Sequence, residues 1–261
     1  MSTNYKFDLL NKTIPINPYP WLFFSTIMSL YVWLLPFFAN ITNMNNNKYL
    51  CSSNVICSDN TSFFNITGTH IGCGCGQGIF GQSICPVSTY GYTISSYIAT
   101  APATGAMACV SAFPIVAIWL FGTGSNNFYN SYIIPKFITI LAKTTVSLFL
   151  ICFFIFLFAT DCIFPNLHDI VVTLFCTFGI MHYSIIAFIY KFYYYDKKGS
   201  AYITYLCIIS VVSFCGFIFF GNAYYNYNIY HFQYLPWFFE CLGVTISFSI
   251  APLMLLYEYT H

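Results

Sequence analysis

The sequence predicts an all-α membrane protein: a six-transmembrane-helix bundle with a disulfide-stapled first outer loop. Three observations carry that expectation. Charge is scarce, apolar residues come in six long runs, and the cysteines outside those runs gather on one predicted face. Of 261 residues, 58% are hydrophobic, 22% aromatic and 6% charged, and the mean hydropathy is +0.70. A soluble domain carries about 25% charge. Eight lysines, no arginine and seven acids cannot cover the surface of a soluble 29.8 kDa protein. This excludes a soluble enzyme and a disordered chain. The net charge of +1 also excludes a nucleic-acid partner, because binding a polyanion draws on counterion release.

The apolar runs cover 20–39, 97–121, 135–160, 169–190, 201–221 and 235–257. A spanning helix needs about 20 mostly apolar residues. The runs are too long for ordinary strands and too uniformly apolar for helices with one wet face. They also lack the short alternating segments of a membrane β-barrel. The first run has no small-x-small cleavage site at its Phe37-Phe38-Ala39-Asn40 end, so it reads as a span and not a cleaved signal. Pro102, Pro114 and Pro252 should kink or break their helices. The small residues of 99–106 open the second run and suit close helix packing, or the wall of a cavity.

Four joining loops are short: 122–134, 161–168, 191–200 and 222–234. The fifth, 40–96, is long and rich in Asn, Gly and Cys. Residues 1–261 are therefore expected to form one membrane domain, with 40–96 its extracytosolic loop. Lys6, Lys12, Lys136, Lys191, Lys197 and Lys198 fall on the side of the N-terminus, and Lys48 falls opposite. By the positive-inside rule, both termini are cytosolic. Sequons at Asn60 and Asn65 then lie outside and are glycosylation candidates; Asn40 is too close to the bilayer. Such tripeptides also arise by chance in Asn-rich sequence. Cys51, Cys57, Cys73, Cys75, Cys85 and Cys162 share the oxidising side, which allows up to three disulfides in any of fifteen pairings. The remaining six cysteines lie in the runs, where a free thiol packs as a small apolar group. The Cys73-Gly74-Cys75 step lacks the second ligand pair of a zinc site, and no metal or cofactor is expected.

Ionisable groups within a membrane are costly and point to function. Asp161, His168, Asp169, His231 and Glu240 fall toward the outer face. A carboxylate paired with a histidine there could serve acid–base work on a lipid, and His and carboxylate ligands could hold a hydrolytic metal. Alternatively, Asp161, His168 and Asp169 sit at a wet helix boundary, with Asp169 favouring the helix dipole. Glu240 differs because Trp237, Phe238, Phe239 and Leu242 surround it in sequence. It should be buried, and must pair with a cation or a donor or hold a proton. Lys143 and His182 lie at similar depth on the third and fourth runs and could share a buried polar site. Equally, Lys143 could snorkel to the interface and His182 could bond a carbonyl. His168 and His182 are 14 residues apart, about 21 Å along one helix, and cannot hold one metal. The motifs of zinc proteases, serine hydrolases, nucleotide-binding loops and kinases are absent.

The stretch Tyr92-Thr93-Ile94-Ser95-Ser96-Tyr97-Ile98-Ala99-Thr100-Ala101-Pro102 is similar to a signature of the DRAM/Sfk/FRAG family. That signature is an Ile-Ser-Asp-like step, a small run and a Pro where the first outer loop meets the second span. His168 resembles the start of the family's His-led fourth helix, and Phe239-Glu240-Cys241-Leu242-Gly243-Val244 resembles its Glu-led motif in the last helix. Ser96 stands where the family usually has an Asp, so no role of that acid carries over. The resemblance implies a six-helix protein of the endomembranes (lysosome, ER or Golgi) or plasma membrane. It also implies a regulator of membrane lipid organisation or of lysosome and autophagy processes, without its own catalysis. Membrane lipids and other membrane proteins would be its partners. Two alternatives stand beside this: a membrane-embedded lipid acyl or headgroup enzyme using Glu240 with His168 or His231, and a transporter or channel built on Lys143 and His182.

Overall fold

The computed structural model describes the backbone of residues 6–9, 12–15, 17–45, 76–77, 83–84, 93–98, 101–122, 134–159, 164–195, 199–227 and 234–260. Six long helices carry the fold: α1 (Pro18–Asn45), α3 (Ala101–Gly122), α4 (Lys136–Phe158), α5 (Pro165–Tyr193), α6 (Ser200–Tyr227) and α7 (Leu235–Thr260). A one-turn helix, α2 (Ile94–Tyr97), precedes α3. Five of the six predicted runs each fall on one long helix. The second expected run is modified: its first residue, Tyr97, belongs to α2, and α3 begins at Ala101. Two small antiparallel ribbons were not expected. They pair β1 (Lys6–Leu9) with β2 (Lys12–Pro15) and β3 (Gly76–Gln77) with β4 (Ser83–Ile84).

Among the described residues, four helical segments are long and apolar enough to cross a membrane: Lys136–Phe158, Asn166–Tyr193, Ser200–Ala223 and Leu235–Leu256. Thr104–Trp119 is a shorter apolar helix. The outer surface agrees with this reading. Phe23, Ile140, Phe158, Ile170, Val212 and Phe219 are all more than half exposed, as suits contact with lipid and not with water. The chain is an integral membrane protein.

The long helices close into a ring in the order α1, α3, α4, α5, α6, α7 and back to α1, with α7 also touching α3 across the interior. Phenylalanines fill the interior. Phe149 stacks on Phe175 with ring centroids 4.5 Å apart, Phe175 meets Phe214 edge-on at 5.6 Å, and Phe153 meets Phe248 at 5.1 Å. Gly179 makes room for this cluster, because a Cβ there would lie 2.8 Å from the Phe214 ring.

Two prolines explain polar contacts within the apolar core. Proline has no N–H, so it leaves the carbonyl four residues earlier without its helical partner. In lipid, no water can replace that bond. Pro252 in α7 frees the Phe248 carbonyl, and the Ser25 hydroxyl of α1 donates to it at 2.9 Å. Pro36 in α1, not singled out from sequence, frees the Val32 carbonyl, and the Cys241 thiol of α7 lies 3.7 Å from it. Nearby, the Tyr183 hydroxyl donates to the Ser247 carbonyl at 2.7 Å, and the Ser210 and Ser247 hydroxyls bond at 2.7 Å. Polar side chains thus tie α7 to α1, α5 and α6.

Candidate functional site

A set of polar contacts joins distant segments where α2 rests on the bundle, and helix-end chemistry builds it. The first N–H groups of a helix and its last carbonyls lack partners within the helix. At α2, the Ile94 N–H donates to Glu240 Oε2 of α7 at 2.5 Å. Glu240 is 7% exposed, as its aromatic sequence neighbours predicted, and its partner is this backbone donor.

The second contact involves α5. Phe164 caps that helix and Pro165 takes its first position, where a missing N–H costs nothing. This start places His168 in the first turn, with its N–H on the Phe164 carbonyl at 2.8 Å. The side chain turns inward. Nδ1 lies 2.6 Å from the carbonyl oxygen of Ala159, the residue that ends α4, and Nε2 lies 2.8 Å from the Ser95 hydroxyl of α2. A carbonyl only accepts, so Nδ1 carries the ring proton. In the neutral ring Nε2 then accepts from Ser95. The Phe156 ring covers the imidazole at 5.2 Å. His168 is therefore not at a wet boundary: it is 4% exposed. Asp169 beside it is half-buried.

Glu240 and His168 do not bond each other. They hold the consecutive residues Ile94 and Ser95, so α2 links α7 to α5 and, through Ala159, to the end of α4. Below this point the ring encloses a small cavity of about 20 Å³, room for one water, reached by Ile94, Met107, Phe156, Phe175, Phe214 and Glu240.

Among the described residues, the hydrogen bonds of His182 go to the neighbours of Lys143 on α4. His182, 4% exposed, directs Nδ1 at α4, 3.2 Å from the Ala142 carbonyl and 3.4 Å from the Thr145 hydroxyl. Lys143 is half-buried on the same helix. His231, Asp161, Asn60, Asn65, Cys51, Cys57, Cys73, Cys75, Cys85 and Cys162 lie outside the described residues. Of the cysteines within the helices, Cys152, Cys176, Cys207 and Cys241 are buried free thiols, while Cys109 and Cys215 are free and exposed. Among the described residues, no three His, Cys, Asp or Glu side chains converge to hold a metal.

Sequence reasoning missed Ser95 as a partner for His168. The residue stood within a noted stretch, but nothing in one sequence pairs positions 73 residues apart. The Ala159 carbonyl was equally hidden, because backbone acceptors carry no sequence signal. In comparisons with known protein families, with curated proteins and with solved structures, the chain matches none.

Proposed function

We propose that the chain is a six-span multi-pass protein that organises membrane lipids, in endomembranes or the plasma membrane, and so bears on lysosome or autophagy processes. In this reading both termini are cytosolic, and the 40–96 segment is a disulfide-stapled, glycosylated extracytosolic loop. Membrane lipids and other membrane proteins are its partners. One observation carries the proposal. The three short segments that resemble the DRAM/Sfk/FRAG family, around Ile94-Ser95, at His168 and at Glu240, meet in one polar cluster although they are far apart in the chain. Within it, Glu240 is engaged by a backbone N–H, which suits a residue that shapes the bundle end.

Lipid profiles of cells with and without the protein test this reading. The expected result is a changed lipid composition that Glu240→Gln fails to restore and Asp169→Asn does restore; an unchanged profile refutes it. The topology has its own test. Endoglycosidase should shift the gel mobility of the protein through Asn60 or Asn65, and non-reducing mass spectrometry should find disulfides among the six loop cysteines. A cytosolic tag at position 50 would reverse the orientation.

A second reading, a lipid-modifying enzyme, is favoured by a specific contact: His168 faces a hydroxyl, on Ser95, and not the carboxylate that the sequence suggested.

A further inference from the structure

Lipid organisation by a rigid bundle end does not need the order of groups around His168. Ser95 Oγ lies 2.8 Å from Nε2, and Nδ1 lies 2.6 Å from the Ala159 carbonyl. The carbonyl fixes the ring tautomer and leaves the Nε2 lone pair aimed at the Ser95 hydroxyl. A hydroxyl, a base and a third group that orients the base are the parts of an activated nucleophile, with a carbonyl here in the place often held by a carboxylate.

The surroundings narrow the substrate. Phe156 lies on the imidazole, and the residue before Ser95, Ile94, reaches the cavity with Met107, Phe153, Phe175 and Phe214. The lysines of α4 and α5, Lys136, Lys143 and Lys191, all lie toward the opposite ends of those helices from this cluster. Phosphoryl transfer needs cations around the moving group; an acyl carbonyl in apolar surroundings does not.

We propose that Ser95 is a nucleophile for the carboxylic ester of a membrane lipid, with His168 as its general base. This rests on the enzyme reading above. Ser95 Oγ attacks the ester carbonyl carbon while its proton passes to Nε2. The bond from the carbonyl carbon to the lipid alcohol oxygen then breaks, and the alcohol leaves with the proton from Nε2. Water attacks the acyl-serine, again giving its proton to Nε2; the bond from the acyl carbon to Ser95 Oγ then breaks, Oγ takes the proton back from Nε2, and the fatty acid is released. No oxidant or reductant takes part. The cavity is only about 20 Å³, so the acyl chain is admitted when these apolar side chains turn aside.

The test uses the full chain in detergent micelles and an alkyl fluorophosphonate, which forms a stable adduct only with an activated hydroxyl. Mass spectrometry should place one adduct on Ser95, and Ser95→Ala should lose it while remaining folded. His168→Gln should slow labelling by about 100-fold, the contribution of a positioned base. His168→Asn, which keeps a polar side chain but no base, decides the matter should His168→Gln fail to fold, and it should slow labelling to the same extent. No adduct on folded protein, an adduct on another residue only, or unchanged labelling of a folded His168 variant would each overturn the proposal. None of these outcomes touches the lipid-organising reading, which stands or falls on the lipid profile.

Discussion

His168 and His182 are carried on one helix and are equally buried at 4% exposure, yet they do different work. His168 has a partner on each ring nitrogen, and one of them, Ser95, is 73 residues away. His182 turns one nitrogen to the neighbouring helix, where the Ala142 carbonyl already receives the Thr145 hydroxyl at 3.0 Å. The first histidine joins the end of α4 to α2. The second adds a contact to a pair of antiparallel helices that pack well without it. Equal burial therefore hides different contacts: one histidine bonds two separate elements and the other bonds one helix.

That contrast orders the effects of substitution. The largest effect is expected at Glu240. Glu240→Ala strands the buried Ile94 N–H and should cost about 3 kcal/mol, since an unpaired buried donor costs up to that much. Thermal unfolding in detergent checks it, and a loss below that of His182→Leu would break the comparison. Next comes His168→Leu, which leaves the Ser95 hydroxyl and the Ala159 carbonyl without this partner, at about 2 kcal/mol. Cysteine cross-linking between α2 and α5 should fall with it.

Ser25→Ala should cost about 1 kcal/mol, because it strips the donor from the Phe248 carbonyl. In a Pro252→Ala background the same change should cost almost nothing, since residue 252 then supplies an N–H to that carbonyl. A double-mutant cycle reads the difference, and equal costs in both backgrounds would refute the account of the proline. The smallest effect is His182→Leu, at about 0.5 kcal/mol, because Thr145 still serves the Ala142 carbonyl.

Much of the architecture was legible in the chain. Six apolar runs mark six long helices, four of them long and apolar enough to cross a membrane, because a helix satisfies its own backbone and so its signal is local composition. The burial of Glu240 was legible for the same reason, from the aromatic residues beside it. The proline effects were half legible: Pro252 announces a freed carbonyl, but not that Ser25 of α1 would fill it. The wet boundary expected at His168 was wrong because its ring turns inward to cap the end of α4. Helix position predicts depth along the membrane normal but not the direction of a side chain about the helix axis.

By itself, the sequence determined that this protein lives in a membrane, where its helices run and which few ionisable groups lie within them. Those properties follow from hydrophobicity summed over about 20 neighbouring residues. Only the tertiary structure decided that Glu240 holds Ile94, 146 residues away, and that His168 holds Ser95. Hydrogen bonds act within about 3 Å, and such contacts exist only once the closing of the helix ring has brought distant segments together.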